Sequence, residues 1–177
     1  MRYLEIVEKR RSFTINGYRT LADVGFDGDW VSPYQISSNS SDGPCLVAYN
    51  WLDAPSVIAN SGILHKLGYL LGIPFNNVMD LALSYAGLAR KDIYVTQAFH
   101  LLPMTRSASI GQRHVDQSFD AVTRYETIGR KVIALGDTAA AACRRHGVRA
   151  LEVCHPSSRT NGTHENKARI IAAVLRT

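Results

Sequence analysis

Cysteine is scarce in this chain and poorly placed for chemistry. Cys45, Cys143 and Cys154 are odd in number and scattered, with no CxxC pair, which argues against a zinc or redox site and predicts reduced, half-buried thiols. Long apolar runs are missing as well. No stretch of about 18 or more apolar residues occurs, which argues against a membrane-spanning helix. Met1–Glu5 lacks the apolar core of a signal peptide, so a cytoplasmic protein is expected. There is no GxGxxG turn and no P-loop, which weakens a nucleotide-binding reading. No internal repeat is visible, and the only low-complexity tract is SSNSS at 37–41, expected to be a flexible connection.

What is present fits one ordinary domain. The chain has 177 residues, 46% hydrophobic and 20% charged, long enough to bury a real core. An N-terminal arm and loop over 1–43 and a core over 44–177 are expected, acting as a monomer. Lys plus Arg total 20 against 15 Asp plus Glu, a net charge of +5. This tilts the partner slightly toward a polyanion.

The core alternates strand and helix signals. Cys45–Tyr49 is a continuous apolar strand, as in a parallel sheet covered on both faces. Ile63, Leu64, Leu67, Leu70 and Leu71 form one helical face that Gly72 and Pro74 stop. A second helix follows over Val78–Leu88, then a strand over Ile93–Gln97 and a long loop over Ala98–Ser109. Val115, Phe119 and Val122 mark another helix before the strand Val132–Leu135. Asp137 or Thr138 is expected to cap the alanine-rich helix that follows, and the closing helix places Ala168, Ile171, Ala172 and Leu175 on one face. In the arm, Tyr3, Leu4, Ile6 and Val7 precede Lys9-Arg10-Arg11 as a short amphipathic helix, and Trp30, Pro33 and Tyr34 are expected to pack against the sheet. The pattern predicts a three-layer α/β/α sandwich with a mainly parallel central sheet of about four strands.

Ligands gather at the carboxyl ends of strands in such sheets. Asn50, Gln97 and His155 are expected there, so side chains over a hundred positions apart would converge. The richest stretch is Val148–Lys167. Leu151, Val153 and Cys154 read as a strand buried on both faces, and Pro156 forces a turn just after His155. Ser157 and Ser158 keep that turn thin and offer hydroxyls, and Arg159 can reach a phosphate or a base stack.

His155-Pro156-Ser157-x-Arg159, with Asn161 and the Asn166-Lys167 pair after it, resembles the second motif of the uracil-DNA glycosylase superfamily, in style closest to its single-strand-selective monofunctional branch. Leu46–Trp51 stands where that superfamily carries its first motif; Asn50 matches, the glycine and proline do not. Asp92–Gln97 is similar to the strand whose last residue reads the base, and Lys131–Gly136 to the strand entering a small-residue helix. The resemblance covers roughly 44 to 175, in the family's order.

The resemblance implies a monofunctional DNA glycosylase that flips a pyrimidine-type base from single- or double-stranded DNA and hydrolyses its N-glycosidic bond, with no metal or cofactor. His155 would hydrogen-bond the leaving base and Asn50 would position the water, with Asp53 as a rival for that task. Ser157, Ser158 and Lys167 would hold phosphates, and Arg159 would wedge the stack. Gln97 replaces the family's asparagine and is one methylene longer. With Trp51 and His100 it implies a reshaped base-recognition pocket, for uracil or for a modified pyrimidine such as viral genomes carry. A DNA-binding module that kept the fold and lost catalysis, and a nucleotide- or nucleoside-processing enzyme, are the alternatives. Some relatives hold an iron–sulfur cluster on four cysteines, which this chain cannot supply.

Overall fold

The computed structural model describes residues 2–177. Four parallel strands form the sheet: β1 (Cys45–Asn50), β2 (Tyr94–Phe99), β3 (Val132–Leu135) and β4 (Ala150–Val153), in the order β2-β1-β3-β4. The chain steps from β1 to one side, then returns past it to β3, so the connections after β1 and β3 leave in opposite directions. A crevice opens at such a switch point, at the carboxyl ends of the strands.

Helices cover both faces, which is why successive residues of the inner strands are apolar, alternate ones facing opposite cores. α1 (Tyr3–Ser12) belongs to the arm. α2 (Ala54–Ala59), α3 (Ser61–Leu67) and α4 (Pro74–Ala86) separate β1 from β2, and α5 (Gln112–Ser118) runs through a π turn at Phe119–Thr123 into α6 (Arg124–Glu126). α7 (Asp137–Arg145) and α8 (His164–Arg176) complete the set. Leu46, Ala48, Ile133 and Leu135 share one core with α4 and α8. Cys45, Val47, Val132 and Ala134 share the other with α5 and α7. On α8 the face of Ala168, Ile171, Ala172 and Leu175 is buried as expected, and Thr163 caps the helix by accepting the Asn166 N–H. Truncating a side chain as enclosed as Ile171 to Ala would cost about 2–5 kcal/mol.

Several expectations need correction. β4 is an edge strand and is not buried on both faces. Leu151 is 45% exposed and Glu152 is exposed, leaving Val153 as its buried residue. The helix expected to run to Leu71 ends at Gly68, whose φ of +76° and close approach to the Pro33 carbonyl suit a residue without a Cβ. β2 runs on to Phe99, so Gln97 lies inside the strand and not at its end. Neither Asp137 nor Thr138 caps α7: Gly136 occupies that position without a side-chain bond. The SSNSS tract is not a free connection, because Val95 donates to the Ser38 carbonyl, Ser40 to the Ile93 carbonyl, and Asn39 bridges Tyr94. That pairing covers the β2 edge and explains why every β2 residue is buried. Pro33 and Tyr34 do pack inward. No helix among the described residues is long and apolar enough to cross a membrane.

Candidate active site

A cavity of about 140 Å³ opens at the carboxyl ends of the strands. A void of about 150 Å³ accepts benzene, so this one suits a single six-membered ring. Its polar lining comes from Asn50, Asp53, Arg106, His155 and Ser157, and its apolar walls include Tyr34, Trp51 and Phe75.

His155 lies two residues beyond β4 on a tight turn, in which the Ser158 N–H donates to the His155 carbonyl at 2.9 Å. The Ser157 N–H donates to Nδ1 at 3.1 Å. An Nδ1 that accepts leaves the neutral ring's proton on Nε2. Burial, and then the Lys167 ammonium, push the imidazole below its ordinary pKa, so the ring is neutral at physiological pH and presents an N–H donor. Its position depends on Gly136: a Cβ there would lie 2.7 Å from the His155 Cβ, and φ is +90°. Phe75 flanks the imidazole, ring centroids 5.5 Å apart.

Asp53 precedes α2 at its N-cap position and yet makes no cap bond. The residue is 5% exposed, and its Oδ1 is sealed without a hydrogen-bond partner. A buried carboxylate oxygen without a partner costs stability unless a water or ligand group meets it, and this residue lines the cavity. Its backbone is fixed on both sides, since Ala54 N–H donates to the Pro103 carbonyl at 2.9 Å and Val57 N–H to the Asp53 carbonyl at 3.2 Å. Asn50, the last residue of β1, is half-buried at the same wall. Trp51 is also in the wall, its indole N–H bonded to the Gly68 carbonyl at 2.9 Å.

Other expected site residues go elsewhere. Lys167 is 2% exposed and cannot meet a phosphate; its Nζ donates to the Ser158 carbonyl at 2.7 Å and so clamps the His155 turn. His100 is buried away from the cavity, with Nε2 3.1 Å from Thr123 Oγ1. Gln97 is 2% exposed and does not line the cavity; the Ser32 hydroxyl donates to its Oε1, leaving the Nε2 side of the amide as donor. Ser158 turns its hydroxyl to Thr160, 3.2 Å away. Arg159 is exposed beside the turn.

Sequence reasoning missed Tyr34, Phe75 and Arg106. Tyr34 was legible only as a packing residue, and Pro74-Phe75 only as the end of a helix. Pro74 in fact opens α4, and the segment before it is closed by Asn76, which donates to the Leu70 carbonyl and accepts from Arg90. Arg106 had no signal beyond its place in a loop. Among the described residues no three His, Cys, Asp or Glu side chains converge as a metal site. The thiols are free, and burial pushes Cys143 up to about 11. No family model matches the chain, and no curated protein matches it.

Proposed function

We propose that the protein is a monofunctional DNA N-glycosylase that draws a pyrimidine-type base into this cavity and hydrolyses its bond to deoxyribose. The observation that carries the reading is the presence, in the lining of one ring-sized cavity, of a neutral imidazole donor and of the buried Asp53 side chain, whose Oδ1 no protein group engages.

Breaking an N-glycosidic bond leaves cationic character on the sugar and negative charge on the departing base. His155 Nε2–H donates to a carbonyl oxygen of the base, a bond that strengthens as that charge develops. Asp53 faces the sugar side, where its carboxylate stabilises the oxocarbenium-like centre and accepts a proton from the attacking water. Asn50 holds that water through its amide oxygen. Tyr34 and Phe75, stacked on each other with ring centroids 5.8 Å apart, form one apolar wall against the ring and keep bulk water out. The glycosidic bond of a duplex is hidden in the stack, so the nucleotide must rotate out, and Arg159 braces the vacated step.

Burial favours Asp53 over Asn50 as the group that handles the water. Incubation with oligonucleotides carrying uracil, hydroxymethyluracil or cytosine, followed by scoring of abasic sites, tests the activity. Release of at least one base is expected, with Asp53→Asn losing more turnover than Asn50→Ala. No abasic sites from any substrate, with DNA still bound, would favour a binding module instead.

A further inference from the structure

The cavity holds a cation and an anion that do not meet. Arg106 lines it from the exposed part of the loop after β2, and Asp53 lines it from the buried end of the loop after β1. The two are not paired, since Asp53 Oδ1 has no partner and Arg106 stands in no ion pair with a described carboxylate. Here Asp53 is fixed by the start of α2 and by the Pro103 carbonyl bond of its neighbour Ala54. The ligand that satisfies both ends has an anionic group outside and a polar, uncharged ring or water inside.

We infer that Arg106 is an anion subsite at the mouth of the cavity, taking the phosphate next to the sugar whose base lies within. This rests on the reading of the cavity as a base pocket. A guanidinium presents a planar fork of donors that binds two phosphate oxygens at once. From an exposed loop it meets the strand where the backbone runs over the rim, while the base occupies the ring-sized space below. The subsite selects a nucleotide within a strand over a free nucleoside, since only the former brings charge to the rim. Such a contact carries no base information. It sets the register of the strand, so that the glycosidic bond stops level with His155 and Asp53.

The test is a binding titration that needs no turnover. Fluorescein-labelled single strands carry one 2′-fluoro-2′-deoxyuridine, with a natural phosphate or an uncharged methylphosphonate on one side of it or the other. The parent protein should bind the natural strand about tenfold more tightly than one of the two methylphosphonate strands, the worth of one charged hydrogen-bonded contact. Arg106→Ala should lose about tenfold on the natural strand and bind that methylphosphonate strand as the parent does. Its log affinity against log salt should be shallower by about 0.7, one phosphate contact on a single strand. Arg106→Lys should recover part of the loss, and thermal melting of all three proteins should agree because the residue is exposed. Losses from the variant and the neutral linkage that multiply, an unchanged salt slope, or no binding by the parent would overturn the subsite. A parent that shows the Arg106 dependence but releases no base keeps the subsite and loses the glycosylase reading; one that releases bases without that dependence does the reverse.

Discussion

Two polar centres in this molecule are built from similar side chains and behave in opposite ways. One is the cavity lined by His155 and Asp53, where Asp53 Oδ1 has no partner and the imidazole, accepting at Nδ1, carries its proton on Nε2. The other surrounds Glu126 on the far face of β2. Its Oε1 accepts from Tyr94 Oη at 2.6 Å and Gln35 Nε2 at 2.9 Å, and its Oε2 from Thr96 Oγ1 at 2.6 Å. His100 Nε2 lies 3.6 Å away. Gln35 also accepts from Tyr3 Oη, so the closed centre ties the arm to the sheet. A carboxylate with both oxygens engaged by three donors holds a fold together, whereas one left unengaged beside a cavity is free to meet a ligand. The difference lies in the carboxylates, since His100 Nδ1 beside Glu126 is itself without a partner.

The largest expected effect tests the closed centre. Glu126→Ala leaves Tyr94, Thr96 and Gln35 with buried groups unpaired, and should remove about 3–5 kcal/mol of stability. Base release per folded molecule should stay at the parent level. Chemical denaturation and an assay on the folded fraction check both halves, and a loss of activity without loss of stability would erase the distinction between the centres.

His155→Ala reverses that pattern. Turnover should fall about 100- to 1000-fold, with strand affinity and melting temperature nearly unchanged, because the ring fills a cavity wall and holds no distant element. Equal turnover by variant and parent removes His155 from the chemistry.

Glu126 and His155 respond to pH with opposite signs, while His100 beside Glu126 shares the sign of His155. Burial raises Glu126 to about 7 from 4.5. The folded state therefore keeps a proton that the unfolded state gives up, and stability from this group is present below about 4.5 and lost as pH rises toward 7. His155 is depressed by burial and Lys167, so its contribution is full above the ordinary histidine value of 6.5 and falls as pH drops below it. His100, lowered to about 3 by burial and then by Arg10, behaves like His155. Glu126→Gln should therefore flatten the loss between pH 4.5 and 7, a change of a few degrees in melting temperature. Melting curves at half-unit intervals read it, and an unchanged slope would show that Glu126 does not titrate there.

The smallest effect concerns Gln97, which the sequence assigns to the cavity and the fold encloses beside Ser32. Gln97→Asn gives up the Ser32 bond and should cost about 1 kcal/mol, leaving the ranking of substrate bases unchanged. A changed ranking would move the residue from the closed region to the open one.

Much of the fold was legible because burial on two faces writes continuous apolar runs. Cys45–Tyr49 and Val132–Leu135 are inner strands, and they read as such. β4 did not, because Leu151 and Val153 carry the apolar signature of an inner strand while neighbouring Glu152 faces water at the edge. Of the site, His155 was legible from Pro156 and the turn it forces, and Asp53 from its place just past β1. Tyr34 reaches the cavity from a 3₁₀ turn, Phe75 from the first turn of α4 and Arg106 from the loop after β2, and nothing local to any of them says so.

The sequence by itself determined the alternation of strands and helices, the closing helix and the turn at His155, because each depends on residues within a few positions of one another. Tertiary structure decided the rest. It buried Lys167 under the His155 turn, sealed Gln97 beside Ser32, and left Asp53 Oδ1 without a partner. Whether a polar group is satisfied depends on what other segments bring to it, and that is settled only when the strands take their order in the sheet.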